Sequence, residues 1–200
     1  MFVKNLLKRG FSQQIEKHFF FETIENKITA LNLNRPERKN AVSLQLIEGL
    51  IQEMPKQMFS DVIIIKSSTP GMFCSGADLK ERAKMSEQEV KLYLHKMKHC
   101  FIMVDNLFCP TISVLDGPTL GGGLELALCT DFRIATKDAV IGLPETSLGI
   151  IPGAGGTQRL PRIIGMAKSK ELIYTGRRIN GVEAKELGLV NYVCDTLDEC

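Results

Sequence analysis

Two glutamates beside glycine-rich segments are the residues best suited to chemistry in this 200-residue sequence. Glu125 lies three residues after Gly122, so the two would share one side of a helix. Glu145 follows Pro144 in a second such segment, residues 142–145. Two carboxylates can divide proton transfer between a general base and a general acid. The pair therefore indicates acid–base catalysis, although a glutamate in a helix's first turn is usually there for the helix dipole.

Two further segments could hold an anion. Residues 121–123 are all glycine and stand where a helix is predicted to begin, so their N–H groups and the helix dipole could stabilise a developing oxyanion. Upstream, residues 73–78 read Phe-Cys-Ser-Gly-Ala-Asp, in which Gly76 lets the backbone approach a ligand closely. A glycine triplet alone is also typical of a tight strand–helix junction, so each signal is weak by itself.

Nucleotide and metal sites are disfavoured. Residues 153–156 read Gly-Ala-Gly-Gly, but Gln158 stands at the last position of the G-x-G-x-x-G template, and the Gly-Lys-Ser/Thr of a P-loop is missing. His95 and His99 lack the glutamate of an H-E-x-x-H motif. The six cysteines include no C-x-x-C pair and lie mostly in apolar stretches. We therefore predict reduced, structural cysteines and no metal.

The elements that must position these residues alternate between strands and helices, which predicts an α/β fold. The predicted strands are residues 19–25, 27–33, 62–65, 111–115, 132–135 and 189–193. The predicted helices are residues 43–58, 86–107, 124–129 and 157–188, the last interrupted near residues 175–181. Ser43 should cap the first helix and Pro55 should end or bend it early, while Ser86 and Glu89 form a capping box on the second. With no linker or repeat, residues 19–200 are expected to be one domain.

Composition narrows the class of protein. The net charge of +2 is too small to imply a nucleic-acid partner, and no apolar run is long enough to span a membrane. Residues 1–17 contain four basic residues and a single acid, Glu16, with apolar residues that can share one helical face. This pattern is typical of a mitochondrial presequence, here residues 1–18 with a cleavage site near Phe11 or Ser12. The alternative is an ordinary basic tail.

Together, the segments resemble the enoyl-CoA hydratase/isomerase (crotonase) family from about Ile24 to the end of the chain. Their order and spacing match the family at residues 34–36 with 39–41, 73–80, 120–127, and 144–145 through 153–161. Residues 77–86 are most similar to the mitochondrial branch that contains methylglutaconyl-CoA hydratase and the enoyl-CoA hydratase domain-containing proteins. Thr130, and Pro118 with Thr119, depart from the usual pattern of the family but touch no catalytic position.

The resemblance implies a fold and a substrate-binding loop. The fold of the family is a spiral of β-β-α turns with helices packed outside. By resemblance, the backbone N–H groups of Ser75 and Gly122 are the two donors of an oxyanion hole. Gly76, Ala77 and Asp78 belong to the loop that binds the CoA thioester.

The resemblance also implies an activity. Glu125 is expected to activate a water molecule and Glu145 to deliver a proton, which would make the protein an enoyl-CoA hydratase, a hydro-lyase. Members that only move a double bond commonly keep one carboxylate, so the presence of both favours hydration. Coenzyme A would enter as part of the substrate, and no separate cofactor is expected.

The wider setting follows from the same resemblance. We expect a homotrimer or hexamer in the mitochondrial matrix, acting in fatty-acid or branched-chain acyl-CoA metabolism. Members of the family continue into C-terminal helices that cover the acyl pocket, and these are expected to be missing here. A catalytically impaired, truncated isoform is therefore one alternative. A second is an RNA-binding role, which is disfavoured because residues 43–58 carry Glu48 and Glu53 against only Lys56.

Overall fold

The computed structural model describes residues 18–25 and 27–200. The predicted presequence therefore lies outside the described residues, apart from its last residue, His18. That histidine is buried, and its ring lies 3.1 Å from the hydroxyl of Ser43. Its carbonyl also accepts a hydrogen bond from the N–H of Asn34. His18 thus contacts the folded part of the chain, and the boundary between residues 18 and 19 stays a prediction.

Eight strands form two sheets in the described part of the chain. A six-stranded sheet has the order β1-β2-β3-β4-β6-β8, and β5 pairs with β7 in a separate small sheet. Only β1 and β2 are antiparallel, and the other pairs are parallel. The strands are β1 (Phe19–Glu25), β2 (Ile28–Leu33), β3 (Val62–Ser67), β4 (Thr111–Leu115), β5 (Pro118–Leu120), β6 (Phe132–Thr136), β7 (Val140–Gly142) and β8 (Tyr192–Cys194).

The helices follow the predicted pattern closely at their N-termini. Ser43 caps α1 by accepting a hydrogen bond from the N–H of Leu46, and Ser86 with Glu89 forms the predicted capping box on α3. The α-helices are α1 (Leu44–Glu53), α2 (Leu79–Arg82), α3 (Glu87–Asp105), α4 (Gly122–Ala127), α5 (Gly156–Ile164), α6 (Met166–Thr175) and α7 (Gly181–Glu186). Short 3₁₀ helices span Pro36–Arg38, Met54–Gln57, Pro144–Leu148 and Leu197–Glu199.

Two consecutive β-β-α units show how the chain winds. In the first, β4 enters the large sheet, β5 enters the small sheet, and α4 follows. In the second, β6 and β7 repeat this path, and the 3₁₀ helix Pro144–Leu148 and α5 follow. Because β4 lies beside β6 and β5 lies beside β7, each turn stacks on the previous one. The predicted α/β class and spiral of β-β-α turns are confirmed.

The core lies between the large sheet and the helices packed on it. In α1 the apolar residues Leu46, Ile47 and Leu50 form a buried stripe. Each such side chain contributes about 2 kcal/mol through its removal from water. In α3 the buried residues recur at helical spacing and face the same core: Tyr93, Met97, Cys100, Phe101 and Val104. All six cysteines are free, as predicted.

Several elements differ from the sequence-based prediction. The three-residue strands β5 and β7 and the four-residue helix α2 were missed, because such short elements show no readable periodicity. The last strand was predicted at residues 189–193 but is β8. Leu189 and Val190 are buried in the turn after α7, where the N–H of each donates to the carbonyl of Ala184. Their apolar character reflects burial in a turn rather than a strand.

Candidate active site

The small parallel sheet brings the two glutamate segments together. The pairing of Leu120 with Gly142 aligns the carboxyl ends of β5 and β7, and the N–H of Gly121 donates to the carbonyl of Gly142 at 2.9 Å. Parallel strands end at the same edge of a sheet. Consequently α4, which carries Glu125, and the 3₁₀ helix Pro144–Leu148, which carries Glu145, leave this edge side by side.

The segment 73–78 lies against the same edge. The Cys74 N–H donates to the Pro118 carbonyl at 2.9 Å, and the Leu120 N–H donates to the Cys74 carbonyl at 3.0 Å. Gly76 is needed at the next step, because its φ is +99° and a Cβ there would lie 2.8 Å from the carbonyl oxygen of Leu120. The close contact places residues 76 and 77 against the start of α4.

Two backbone amides without a hydrogen-bond partner among the described residues, those of Ala77 and Gly122, belong to residues that line the space between these segments, and they are not the pair predicted from the sequence. The Ser75 N–H donates to the Lys39 carbonyl at 3.0 Å, so it is not available to a ligand. Ala77 instead pairs with Val42 in a bridge in which the Val42 N–H donates to the Gly76 carbonyl and the Asp78 N–H donates to the Val42 carbonyl, which leaves the Ala77 N–H unbonded. A Cβ placed on Gly122 would lie only 3.4 Å from the Ala77 nitrogen.

Gly122 contributes the second amide. It is the first residue of α4, where N–H groups have no partner within the helix. The N–H groups of Ala77 and Gly122, rather than Ser75 and Gly122, therefore form the candidate pair of donors. Residues two apart in a regular strand face the same way, but the φ of +99° at Gly76 interrupts the extended backbone between Ser75 and Ala77.

Glu125 lines the same space and is held by two backbone hydrogen bonds. Only 2% of its surface is exposed, and its Oε1 accepts hydrogen bonds from the N–H groups of Ala154 at 2.7 Å and Gly156 at 2.8 Å. Burial raises the pKa of the Glu125 carboxyl, and the hydrogen bonds from these two amides oppose the rise. Gly156 also begins α5, whose dipole favours a negative charge at this end.

Glu145 faces the same space but has fewer partners. It is 9% exposed, and its Oε2 is buried without a hydrogen-bond partner. Burial raises the pKa of Glu145 to about 7, a hydrogen bond from its own backbone N–H opposes the rise, and the nearby charge of Glu125 adds to it. A carboxyl with this pKa can exist in either protonation state near neutral pH, which suits a group that exchanges protons.

These residues line one cavity of about 520 Å³, measured together with its open mouth. Six of the seven residues predicted to form the site lie in its wall: Ser75, Gly76, Ala77, Gly122, Glu125 and Glu145. The remainder of the wall is mainly apolar and includes Met97, Ile150 and Ile151. The cavity therefore combines two carboxylates and two unbonded amides with a surface suited to a hydrocarbon chain.

The seventh predicted residue, Asp78, lies behind the wall. Its Oδ2 accepts a hydrogen bond from Arg35 Nη1 at 2.8 Å, and its Oδ1 caps α2 by accepting from the Glu81 N–H at 3.1 Å. Although burial disfavours the charged form, these partners lower the pKa of the Asp78 carboxyl overall. Its contacts within the chain fix the loop that carries Ala77, so the geometry gives it a positioning role rather than a ligand contact.

Other residues of the site were missed at the level of sequence. The amides of Ala154 and Gly156 clamp Glu125, yet the glycine run containing them was weighed as a nucleotide loop and as part of the family match, and not as a partner of Glu125. The glycine at position 156 was the one sign of this contact in the sequence, since a Cβ there would lie 3.1 Å from Glu125 Oε1. Arg82 also lines the cavity and was not singled out.

Other classes of site were sought across residues 18–25 and 27–200. No group of three His, Cys, Asp or Glu side chains there could hold a metal ion. None of the helices in that part of the chain is long and apolar enough to cross a membrane. The two acidic residues of α1 form salt bridges with lysines, Glu48 with Lys96 and Glu53 with Lys56.

Comparison with known proteins gives a consistent result. A family model described as enoyl-CoA hydratase/isomerase matches residues 23–199. The chain is 47% identical over 178 residues to a probable enoyl-CoA hydratase 2, mitochondrial, of Arabidopsis thaliana, covering 88% of this chain and 59% of that protein. It is 46% identical over 200 residues to human methylglutaconyl-CoA hydratase, mitochondrial, covering 96% of this chain and 59% of the relative.

The solved structures agree with the sequence relatives. A crystal structure of an enoyl-CoA hydratase from Bacillus anthracis superposes with a TM-score of 0.88 at 44% identity. The match covers 91% of this chain and 72% of that one. The chain thus spans about three fifths of the length of the two sequence relatives.

Proposed function

Because the chain belongs to the enoyl-CoA hydratase/isomerase family, we propose that its cavity binds a 2-enoyl-CoA thioester and adds water across the double bond. The observation that carries this proposal is the meeting of two buried carboxylates and two unbonded backbone amides in one cavity. Coenzyme A is part of the substrate, and the reaction needs no redox partner because hydration changes no overall oxidation state.

The amides of Ala77 and Gly122 would bind the thioester carbonyl oxygen. When water attacks C3, electron density moves through C2 to this oxygen, which becomes enolate-like. Two fixed N–H donors stabilise that charge without reorganisation, and one such donor is typically worth about 3–4 kcal/mol of barrier. The position of Gly122 at the start of α4 adds the favourable end of the helix dipole.

The two carboxylates would divide the proton transfers. Both amides on Glu125 bind Oε1, which leaves Oε2 to accept a proton from water. Glu145, with a pKa of about 7, would deliver a proton to C2. The C2=C3 π bond, one O–H bond of water and the O–H bond of Glu145 break, while the C3–O bond, the C2–H bond and an O–H bond on Glu125 form. General acid–base help of this kind contributes roughly 100- to 10,000-fold.

Moving the double bond is the competing reaction within the same family. Isomerisation shuttles one proton between C2 and C4 and can use a single carboxylate, whereas hydration must take a proton from water and place another on C2. The presence of Glu125 and Glu145 in one cavity, where the charge of Glu125 raises the pKa of Glu145, favours hydration.

We further propose that the protein works as a homotrimer or hexamer in the mitochondrial matrix, on acyl-CoA esters of fatty-acid or branched-chain metabolism. The mitochondrial designation of two relatives supports the location. Large apolar side chains exposed away from the cavity, such as Phe108 and Tyr192, are consistent with further contacts.

Product analysis in isotopically labelled water tests the proposed reaction. Purified protein incubated with crotonyl-CoA in H₂¹⁸O should yield 3-hydroxybutyryl-CoA carrying the label, seen by mass spectrometry as the enoyl absorbance falls. Double-bond migration without incorporation of ¹⁸O would show that the cavity performs isomerisation instead.

A further inference from the structure

Arg159 holds the loop that carries the two amides on Glu125. Its Nη1 donates to the carbonyl of Ala154 at 3.2 Å, and the N–H of the same Ala154 donates to Glu125 Oε1 at 2.7 Å. The guanidinium also lies over Gly155, whose φ is +116° and where a Cβ would overlap Nη1. One side chain of α5 thus contacts the stretch of backbone from which the carboxylate receives its hydrogen bonds.

The loop of residues 153–156 lies between two cavities. Gly153 and Glu125 line the first cavity, which contains the candidate site. Ala154 and Arg159 line a second cavity of about 1090 Å³, measured together with its open mouth. Arg159 is not part of the wall of the first cavity, so it has no place against a substrate bound there. Any influence of Arg159 on the reaction must pass through the loop or through its charge.

Asp105 fixes the direction of the guanidinium. Arg159 Nε and Nη2 both donate to Oδ2 of Asp105, at 3.3 and 3.1 Å. Asp105 is the last residue of α3, where the helix dipole disfavours an acidic side chain, so its place is not explained by α3 alone. The Asp105 side chain is 46% exposed, so the ion pair adds little to stability. Its main consequence is that it turns the third nitrogen, Nη1, toward the Ala154 carbonyl.

The charge of Arg159 also acts on Glu125. Burial raises the pKa of the Glu125 carboxyl, the two amide hydrogen bonds lower it, and the nearby cations Arg159 and Lys98 lower it further. Arg159 therefore favours the ionised form that would accept a proton from water. The other titratable groups around Glu125 are Lys98 of α3, Cys129 just beyond α4, and Glu145.

We infer that Arg159, directed by Asp105, is a positioning residue that fixes the Glu125 carboxylate in place through residues 154–156. This role rests on the proposed function, because Glu125 is the general base of that reaction. The competing role for Arg159 is a tie between α3 and α5 that serves stability alone. The two roles differ in what a substitution changes, which is either the placement and ionisation of one carboxylate or the stability of the whole fold.

Replacing Arg159 by methionine keeps an apolar stem and removes the guanidinium. Arg159→Met should lower kcat for crotonyl-CoA about 10- to 100-fold and leave KM within about twofold, because the base is misplaced while the substrate site is intact. The acidic limb of the kcat/KM profile should move to higher pH, because loss of the cation raises the pKa of Glu125. Arg159→Lys keeps the charge but lacks the planar fork, so it should restore the limb and only part of kcat.

Two further variants complete the kinetic test. Arg162→Met is the matched control, since Arg162 lies on α5 and lines the second cavity but its Nη1 donates to the carbonyl of Gln158. It should leave kcat and the pH profile as in the parent. Asp105→Ala should lower kcat less than Arg159→Met, and the double variant should lose no more than Arg159→Met, because Asp105 acts through Arg159. Losses that multiply would overturn the part assigned to Asp105.

Hydrogen exchange separates this role from the proposed reaction, because it needs no substrate. The amides of Ala154 and Gly156 should exchange about tenfold faster in Arg159→Met, while the amides of β3 keep their protection. That pattern supports the positioning role even if the parent fails to hydrate crotonyl-CoA. Unchanged exchange at both amides, together with the parental kcat and pH profile, would overturn the role and leave the proposed function standing. Equal loss of protection at the two amides and throughout β3 would show a contribution to stability alone and would likewise overturn it.

Discussion

Replacing Glu145 by glutamine should stabilise the fold at high pH, because the native carboxyl is costly to ionise. The folded state raises the pKa of Glu145 from an ordinary value of 4.5 to about 7. A carboxyl with a raised folded pKa binds its proton more tightly in the folded state. Its stabilising contribution is fully present below pH 4.5 and is lost as the pH rises through about 7.

The magnitude follows from these two values. Between pH 5 and pH 8, linkage predicts that this one group removes about 2.5 kcal/mol from the free energy of unfolding. Because the cavity opens to solvent, screening by water reduces the expected effect to about 2 kcal/mol. Glutamine has nearly the same shape and no charge, so Glu145→Gln should not suffer this loss.

Urea unfolding of the parent and Glu145→Gln at pH 5 and pH 8 measures the effect directly. The stability difference between the two proteins should shift in favour of the variant by about 2 kcal/mol on going from pH 5 to pH 8. Glu186→Gln, at an exposed position on α7, is the matched control and should show no such shift. A shift below about 0.5 kcal/mol for Glu145→Gln, or one of opposite sign, would refute the reasoning from burial.

Further predictions concern the amide donor, the clamp on Glu125 and the N-terminus. Gly122→Pro removes one N–H at the first helical position, where proline is tolerated, and should lower kcat for crotonyl-CoA about 100- to 1,000-fold. Gly122→Ala keeps that N–H, and its Cβ would press only on the flexible end of Met97 while lying in ordinary contact, 3.4 Å, with the Ala77 nitrogen. A loss as large as that in Gly122→Pro would therefore contradict the role of the amide. Gly156→Ala would place a Cβ 3.1 Å from Glu125 Oε1 and should lower kcat about tenfold or more. Circular dichroism should show that the variant still folds, and an unchanged kcat would show that the two amides on Glu125 are dispensable. A reporter fused to residues 1–21 should enter mitochondria and be trimmed near Phe11, and fluorescence that stays cytosolic would count against a presequence.

Much of the scaffold was predictable because its signals are local. The Ser43 cap, the apolar stripe of α1 and the Ser86–Glu89 capping box depend on residues within one or two helical turns of each other. Most residues of the candidate site could also be identified from the sequence, since Glu125 and Glu145 lie in segments whose order and spacing match the family. Local patterns of this kind can be read from one sequence without knowledge of the tertiary structure.

The details that decide chemistry are less visible. Which amide faces the cavity, that of Ser75 or of Ala77, depends on hydrogen bonds to Lys39 and Val42 that lie far away in the sequence. The clamp on Glu125 comes from a loop about 30 residues downstream, and its glycine has meaning only beside the carboxylate. Arg159 looks like an ordinary charged helical residue until its contact with the Ala154 carbonyl is known. Tertiary contacts, rather than local propensity, supply this information.

The central claim is that Glu125 and Glu145 together carry the proton transfers of hydration, and steady-state hydration by the two glutamine variants tests it most directly. Glu125→Gln and Glu145→Gln should each lower kcat for crotonyl-CoA by about 100-fold or more. The double variant should have nearly the same kcat as the less active of the two single variants, because the two groups act as a unit. If either single variant hydrates crotonyl-CoA at nearly the parental rate while the fold is intact, the pair does not perform the chemistry proposed for it.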